Sequence, residues 1–409
     1  MINRRQLLGA VASGFALAGL AMTTPVQAKV VGDTIILGAA VSASGKYSTN
    51  GKHTRNGYDL AVKMINEAGG IKVDGKAYKV KVIYYDDEST PARGAQLAER
   101  LINQDGVKYM LGPYSSGLTK AMVPVTEKYG IPMVEPNGAS NSLFNKGYKY
   151  LFAVLSTSEQ YLASAIALAG EVSGGKTVRI AGAFENDPFS QDVRNGVMAD
   201  AEKIGAKMVI DDKLPPDLND MAATLTKVKA LKPDLLVVSG HAKGAALVIR
   251  QMNDMKVNVP MLAITHCDSA DVIGKFGMAA EYTLCASQWD RSLSYKDPIF
   301  GSAEDFAQLF EKTYGYAPPY QAAESAAAIL VYKDAFERSN NFDTKAVRDA
   351  LAATDMQTFY GNVKFSPEGA NTAKPMVLYQ VQGGKFRVVA PTKWADAKLM
   401  WPTPMWDKR

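Results

Sequence analysis

Histidine and cysteine are scarce in this chain, and their scarcity excludes several kinds of chemistry. Only three histidines and two cysteines occur among 409 residues, and their spacing matches no zinc-binding pattern. The sequence also lacks the Gly-x-Ser-x-Gly element in which many hydrolases present a nucleophilic serine. No dinucleotide-binding glycine fingerprint follows the first predicted strand. We therefore expect no enzymatic activity, no bound metal and no cofactor.

Long apolar runs and clusters of like charge are also missing. Beyond residue 28, no apolar stretch reaches the length of about 20 residues that a membrane-spanning helix needs. The net charge of +5 is small for this length, and no run of lysines and arginines marks a face for nucleic acid. We expect a soluble monomer that binds a small molecule and no nucleic acid.

The N-terminal residues have the pattern of an export signal. Arg4 and Arg5 precede a weakly apolar run, and Val-Gln-Ala ending at position 28 is a small-x-small cleavage site. We predict a signal peptide over 1–28, for which the paired arginines favour the twin-arginine route over the general secretory route. The expected compartment is the periplasm. There, Cys267 and Cys285 either form a disulfide or remain two buried thiols.

Strand-like and helix-like segments alternate along the chain from residue 34. The apolar run at 34–40 is followed by helical spacing at 56–67, and the alternation returns between 159 and 264. This order is typical of parallel sheets with helices on both faces, and about 380 mature residues exceed one hydrophobic core. Later segments predict long helices, one over 297–314, and a hairpin between 376 and 389. We predict two α/β domains.

Small polar residues follow two of the predicted strands. Tyr114, Ser115 and Ser116 come after one strand, and Asn137 and Gly138 come after the next. Open α/β sheets bind ligands beyond the carboxyl ends of their strands, where free backbone N–H groups and helix N-termini attract anions. The pattern predicts a site for a carboxylate. The serines have an alternative role as helix caps.

Several segments around these turns resemble the leucine/isoleucine/valine-binding protein family, the type I periplasmic binding proteins of branched-chain amino acid ABC importers. The most specific segment is Ile-Asn-Glu-Ala-Gly-Gly-Ile at 65–71, and the other matching segments are 36–40, 57–62, 85–87, 111–116 and 129–132. The resemblance implies a two-lobed fold in which each lobe is a mainly parallel sheet flanked by helices. Three hinge crossovers would join lobe 1 (29–156 plus 289–373) to lobe 2 (157–288 plus 374–409). A permease in the inner membrane would be the protein partner.

The resemblance also implies a ligand site between the lobes. Ser116 takes the position that holds a ligand carboxylate, and Asn137 takes the position whose backbone carbonyl accepts from a ligand ammonium. Phe189 and His241 take aromatic positions of the second lobe. The full set of candidate residues is Asn50, Tyr114, Ser115, Ser116, Asn137, Gly138, Ala139, Phe189, His241, Thr265, His266 and Tyr320.

Two departures from the family pattern leave the ligand class open. Ala139 lacks the hydroxyl of the usual threonine, and neither Thr265 nor His266 supplies the acidic group that a buried ammonium requires. One class is therefore a branched-chain or other hydrophobic amino acid, and the other is an aromatic acid, 2-oxo acid or amide. A sensory receptor with the same lobes and a periplasmic enzyme are the alternative functions, the enzyme being disfavoured.

Overall fold

The computed structural model describes residues 30–405 and 408, so the predicted signal peptide at 1–28 lies outside the described residues. The first sheet contains β1 (Val30–Val31), β2 (Thr34–Ala40), β3 (Ile71–Val73), β4 (Lys76–Tyr85), β5 (Met110–Leu111), β6 (Met133–Glu135) and β7 (Leu151–Ala153). Its order is β3-β4-β2-β5-β6-β7, with β1 also paired to β2. Five strands are parallel, and β1 and β3 pair antiparallel.

The second sheet forms from later residues. The remaining strands are β8 (Arg179–Glu185), β9 (Lys207–Leu214), β10 (Leu235–Ser239), β11 (Met261–Thr265), β12 (Leu284–Ser287), β13 (Lys296–Asp297), β14 (Gly301–Ser302), β15 (Asp355–Thr358), β16 (Gly361–Lys364), β17 (Val377–Gln382) and β18 (Lys385–Ala390). The sheet order is β18-β17-β12-β11-β10-β8-β9, while β13-β14 and β15-β16 are separate hairpins. The strands β8 to β12 are parallel. Except for the edge strand β9, they are mainly apolar and buried because helices cover both faces.

Helices flank both sheets. They are α1 (Ser48–Glu67), α2 (Pro91–Asn103), α3 (Ser116–Lys128), α4 (Ala163–Val172), α5 (Pro188–Lys203), α6 (Ala222–Leu231), α7 (His241–Met255), α8 (Val272–Phe276), α9 (Ala303–Tyr314), α10 (Tyr320–Ser339) and α11 (Thr344–Ala352). Helix α10 is buried continuously from Tyr320 to Tyr332. It packs so closely on α1 that a Cβ at Gly57 would lie 2.2 Å from the Ala322 carbonyl oxygen. None of the helices in the described part of the chain is long and apolar enough to cross a membrane.

The chain passes three times between the sheets. One residue from each crossover, Ser156, Gln288 and Lys374, is hydrogen-bonded to the other two. Gln288 Oε1 accepts from the Ser156 backbone N–H at 3.1 Å, and Gln288 Nε2 donates to the Ser156 carbonyl at 3.0 Å. Ser156 Oγ donates to the Lys374 carbonyl at 2.6 Å, and Lys374 Nζ donates to the Gln288 carbonyl. The predicted limits of the two lobes adjoin these three residues and stay predictions.

The structure corrects the predicted start of one helix and decides between the two alternatives for the cysteines. The helix predicted over 297–314 is wrong in its first third, because residues 296–302 form the β13-β14 hairpin. Ser302 and Asp305 form a capping box, which fixes the start of α9 at Ala303. Of the two alternatives for Cys267 and Cys285, the structure has the disulfide, which joins the turn after β11 to β12.

Candidate ligand-binding site

The candidate residues lie where strands end and helices begin in both sheets. Ser116, Phe189, His241 and Tyr320 each stand in the first turn of a helix. Asn137 to Ala139 follow β6, and Thr265 and His266 end and follow β11, while Asn50 lies in the first turn of α1. Every one of the twelve candidates is buried. The arrangement places the candidate set at the carboxyl edges of the parallel strands.

Aromatic and imidazole rings from both sheets form one cluster. The Tyr114 hydroxyl, from the first sheet, lies 2.7 Å from His241 Nδ1 and 3.0 Å from His266 Nε2, both from the second. The ring centroid of Phe189 lies 5.4 Å from that of His241 and 5.1 Å from that of His266. The ring of Tyr320 lies 6.1 Å from His266. Five residues predicted separately are therefore brought together.

Two further tyrosines join this ring cluster and were missed from the sequence. Tyr47 packs against Tyr114 at 5.4 Å and His241 at 5.1 Å. Tyr161 packs edge-to-face on Phe189 at 4.9 Å. Tyr47 directly precedes α1 and Tyr161 precedes α4, so their places next to helix starts were the available signal.

The two histidines differ in charge. Burial lowers the pKa of His241, but Asp187 and Glu185 outweigh that effect and hold the pKa above its ordinary value. His241 Nε2 lies 3.4 Å from Asp187 Oδ1. Burial and the neighbouring His241 hold the pKa of His266 well below its ordinary range, so His266 is neutral.

These charges set the direction of the hydrogen bonds through the Tyr114 hydroxyl. The raised pKa of His241 favours its protonated form, in which Nδ1 donates to Tyr114 and the Tyr114 O–H then donates to Nε2 of neutral His266. The remaining proton of His266 is on Nδ1, which finds no hydrogen-bond partner among the residues described. His266 thus offers a buried N–H donor to a ligand.

Glu185, Asp187 and His241 have the composition of a weak cation site, because one ligand atom from each lies within 4.8 Å of the others. However, Lys46 Nζ lies 3.3 Å from Glu185 Oε1, and His241 Nε2 lies 3.4 Å from Asp187 Oδ1, which raises the pKa of His241. An ammonium and an imidazole thus already face the two carboxylates. The chemistry of this cluster therefore argues against a metal ion.

The two serines at the start of α3 do not act as caps. Ser115 stands at the N-cap position, but its side chain makes no capping hydrogen bond. Ser116 Oγ accepts from the Ser140 backbone N–H at 3.0 Å, which leaves its own proton to donate. The capping alternative is therefore wrong, and the Ser116 hydroxyl is positioned as a buried donor.

The turn after β6 differs from the expected anion site. Glu135 Oε1 accepts from the backbone N–H groups of Asn137 at 2.6 Å and Gly138 at 2.7 Å, so neither amide is free for a ligand. The Ala139 carbonyl accepts from the Ser158 backbone and hydroxyl at 2.8 and 3.0 Å. A Cβ at Gly138 would lie 2.6 Å from Thr119 Oγ1, so this glycine permits close packing.

Side-chain amides line the first-sheet wall of the site. Asn137 Nδ2 donates to Thr54 Oγ1 at 3.2 Å and Ser325 Oγ at 3.1 Å. Asn137 Oδ1, Asn50 Nδ2 and both polar atoms of the Gln321 side chain find no hydrogen-bond partner within the described part of the chain. Gln321 was missed from the sequence, although it directly follows the candidate Tyr320.

A family model described as "Periplasmic binding protein" matches residues 34–385. The chain belongs to this periplasmic binding protein family. The family supplies the substrate-binding components of ABC transporters, which act in the periplasm and partner with permeases.

Individual members resemble this periplasmic binding protein over most of their length. The leucine-, isoleucine-, valine-, threonine- and alanine-binding protein of Pseudomonas aeruginosa is 22% identical over 369 residues, covering 89% of this chain and 93% of the relative. The branched-chain amino acid transporter substrate-binding protein LivJ of Streptococcus pneumoniae, solved with isoleucine, has a TM-score of 0.75 at 23% identity, covering 88% and 100% of the two chains.

A third similar structure contains a different ligand. An ABC transporter solute-binding protein of R. palustris in complex with benzoate has a TM-score of 0.74 at 19% identity, covering 87% of this chain and 95% of that one. Together these structures confirm the predicted two-lobed type I fold. They are solute-binding proteins that hold chemically different ligands.

Proposed function

We propose that this periplasmic binding protein is the solute receptor of an ABC importer, exported by the signal at 1–28. It closes its lobes on a small carboxylate-bearing ligand and delivers that ligand unchanged to a permease. The observation that carries the proposal is the hydrogen-bonded group of Tyr114, His241 and His266, which joins side chains of both sheets in one buried cluster. Such a cluster forms only when the two halves meet, as ligand-induced closure requires.

Two donors suit the carboxylate of the ligand. The Ser116 hydroxyl lies in the first turn of α3, and the N-terminus of that helix favours negative charge. The His266 Nδ1–H group comes from the opposite lobe. A carboxylate held by both would link the lobes. The rings of Phe189 and Tyr320 would pack on the apolar body of the ligand.

The carboxylates near the ring cluster favour a ligand without an ammonium group. Asp268 accepts from the backbone N–H groups of Tyr320 at 3.1 Å and Ser269 at 2.8 Å. Asp187 pairs with His241, and Glu185 pairs with Lys46. Because a buried ammonium needs an available negative partner, an aromatic acid or 2-oxo acid fits this site best. The benzoate complex of the R. palustris neighbour supports this ligand class.

A hydrophobic amino acid is the second candidate ligand. Its support is the relative from P. aeruginosa and the isoleucine complex of LivJ, which match 89% and 88% of this chain. To pair with a ligand ammonium, Asp268 would have to give up the two backbone hydrogen bonds that it accepts in the ligand-free protein.

Calorimetry on the mature protein tests both candidates. We expect benzoate or 2-oxo acids to bind more tightly than leucine or valine and to be recovered unchanged. We also expect Ser116→Ala to weaken carboxylate binding by about 1–3 kcal/mol through loss of a charge-assisted hydrogen bond, and to leave binding of the matched neutral ester unaffected. Tight binding of leucine alone would overturn the ligand class, and chemical turnover would overturn the receptor function.

A further inference from the structure

Three buried carboxamides converge on the first-lobe wall of the site. The exposed fractions of Asn50, Asn137 and Gln321 are 2%, 6% and 0%. Four polar atoms of these side chains have no hydrogen-bond partner among residues 30–405 and 408. Two of them are donors, Asn50 Nδ2 and Gln321 Nε2, and two are acceptors, Asn137 Oδ1 and Gln321 Oε1. A buried polar atom without a partner destabilises the folded state, so folded proteins retain few of them. Four such atoms on one wall need an explanation.

The hydrogen bonds of Asn137, together with the i, i+4 spacing on α1 and α10, place the three side chains on one wall. Asn137 Nδ2 reaches Thr54 on α1 and Ser325 on α10, which fixes its amide plane between these helices. Thr54 Oγ1 donates to the Asn50 carbonyl at 3.0 Å, and Ser325 Oγ donates to the Gln321 carbonyl at 2.6 Å. Asn50 and Gln321 therefore each lie one helical turn closer to the N-terminus than an Asn137 partner. Both helices begin at the ligand site.

The cluster has no net charge. Carboxamides do not ionise, and both donors and acceptors are present in it. Glu324 is the buried carboxyl group on the same helix, and burial raises its pKa well above the ordinary value, which keeps it neutral. An ammonium or a second carboxylate would be desolvated here without an opposite charge. A neutral group that both donates and accepts would satisfy the free atoms.

We propose that Asn50, Asn137 and Gln321 form a second polar subsite that selects ligands with a hydroxyl or carboxamide group in addition to the carboxylate. This inference rests on the proposed receptor function and adds a substrate class to it. Gln321 contributes a donor and an acceptor together, so one hydroxyl can bond to it in both directions. Gln321 is therefore the main specificity residue of the subsite.

Matched ligand pairs test the subsite by calorimetry on the mature protein. The pairs are benzoate with 4-hydroxybenzoate and with 3-hydroxybenzoate, and valine with the nearly isosteric threonine. In whichever series binds, we expect the hydroxylated member to bind at least about tenfold more tightly, because a site built for a hydroxyl rejects the analogue that lacks it. The variant Gln321→Leu should remove this preference, so that the two members of each pair bind within about threefold of each other.

Controls separate a specific effect from misfolding. The variant Gln308→Leu, on the exposed face of α9, should keep the preference, and circular dichroism should show folded protein in each case. If Gln321→Leu does not fold, Asn50→Leu provides the same test. The subsite is overturned if both members of every pair bind with equal affinity, or if Gln321→Leu lowers the affinity for both members equally. Either result leaves the proposed receptor function standing. If neither series binds, the proposed ligand class fails and the subsite fails with it.

Discussion

Glu135 is a buried carboxyl group with a complete set of hydrogen bonds. Its Oε1 accepts from the backbone N–H groups of Asn137 and Gly138, and its Oε2 lies 2.8 Å from Thr119 Oγ1. Thr119 has one hydroxyl proton, which it donates to the Ser115 carbonyl at 2.9 Å. The 2.8 Å contact is therefore a hydrogen bond in which protonated Glu135 Oε2 donates to Thr119 Oγ1. Burial raises the pKa of Glu135 to about 8, despite these hydrogen bonds.

The raised pKa of Glu135 predicts that stability falls as the pH rises from about 4.5 to about 8. Between about 4.5, the unfolded pKa, and about 8, the folded protein keeps a proton that the unfolded chain has lost. Each pH unit in that window therefore lowers the free energy of unfolding by about 1.4 kcal/mol through this group. Glu135→Gln keeps the same donors and acceptors without titrating, so it should reduce the slope.

Urea denaturation at several pH values measures this effect. We expect Glu135→Gln to unfold at higher urea concentration than the natural protein at pH 8, and the difference to shrink toward pH 5. Glu67→Gln, at an exposed position at the end of α1, should follow the natural protein throughout. Parallel curves for the natural protein and Glu135→Gln would show that Glu135 is ionised when folded.

At the scale of elements, the side chain of Gln288 couples two of the three crossovers. Gln288→Ala would leave both the N–H and the carbonyl of Ser156 buried without partners. We expect the free energy of unfolding to fall by about 2–6 kcal/mol, since each of the two unpaired groups costs about 1–3 kcal/mol. Chemical denaturation measures this loss, and the exposed Gln308→Ala should change it by less than about 0.5 kcal/mol. An unchanged stability would show that other contacts hold the crossovers together.

The sequence predicted long, regular elements better than short or polar ones. Strand β2 is a continuous apolar run, and its position was predicted correctly. The short strands β5 and β6 were predicted because Gly-Pro and Pro-Asn turns follow them, whereas β7 and β12, of three and four residues, lack such turns and were missed. Helix α1 begins at Ser48, although the sequence predicted a start at 56. Its first two turns were missed because they are polar, and their buried residues include Asn50 and His53. That burial depends on tertiary contacts, which local periodicity does not contain.

The site was predictable where the strand-end rule and the family resemblance applied. Tyr114, Phe189 and His241 were placed in this way, and they lie together in the structure. The role of Glu135 was not predictable, because a glutamate at a strand end gives no indication that two backbone amides are directed at it. Gln321 was missed for a similar reason, since its importance comes from burial without partners.

At the scale of the whole molecule, direct contacts join the two halves in a closed arrangement. Lys46, in the segment between β2 and α1, donates to the Pro216 carbonyl at 2.8 Å and pairs with Glu185 of β8 at 3.3 Å. Ser140 donates to Asp192 on the other side of the site. These contacts would be lost on opening. These contacts stabilise the closed state even without ligand. They therefore reduce the part of the ligand binding free energy that is needed to close the lobes.

Lys46 therefore provides a test of closure, since it is not among the candidate ligand contacts. Lys46→Met removes both cross-lobe bonds and keeps most of the apolar side chain. We expect about fivefold weaker ligand binding, a modest effect because the Lys46 side chain is 33% exposed and solvent screens the pair. The loss should appear as faster dissociation, because only the closed state is destabilised.

Stopped-flow kinetics and small-angle scattering measure the two consequences of Lys46→Met. The variant should show an unchanged association rate and, without ligand, a larger radius of gyration than the natural protein. Lys63→Met is the matched control, because Lys63 forms an exposed pair with Glu67 within α1 and touches only one lobe. Equal dissociation rates in the natural protein and Lys46→Met would mean that the Lys46 contacts do not stabilise the closed state. Closure would then depend on the ligand and on the other cross-lobe contacts, which include the Ser140–Asp192 hydrogen bond and the Tyr114 hydroxyl between His241 and His266.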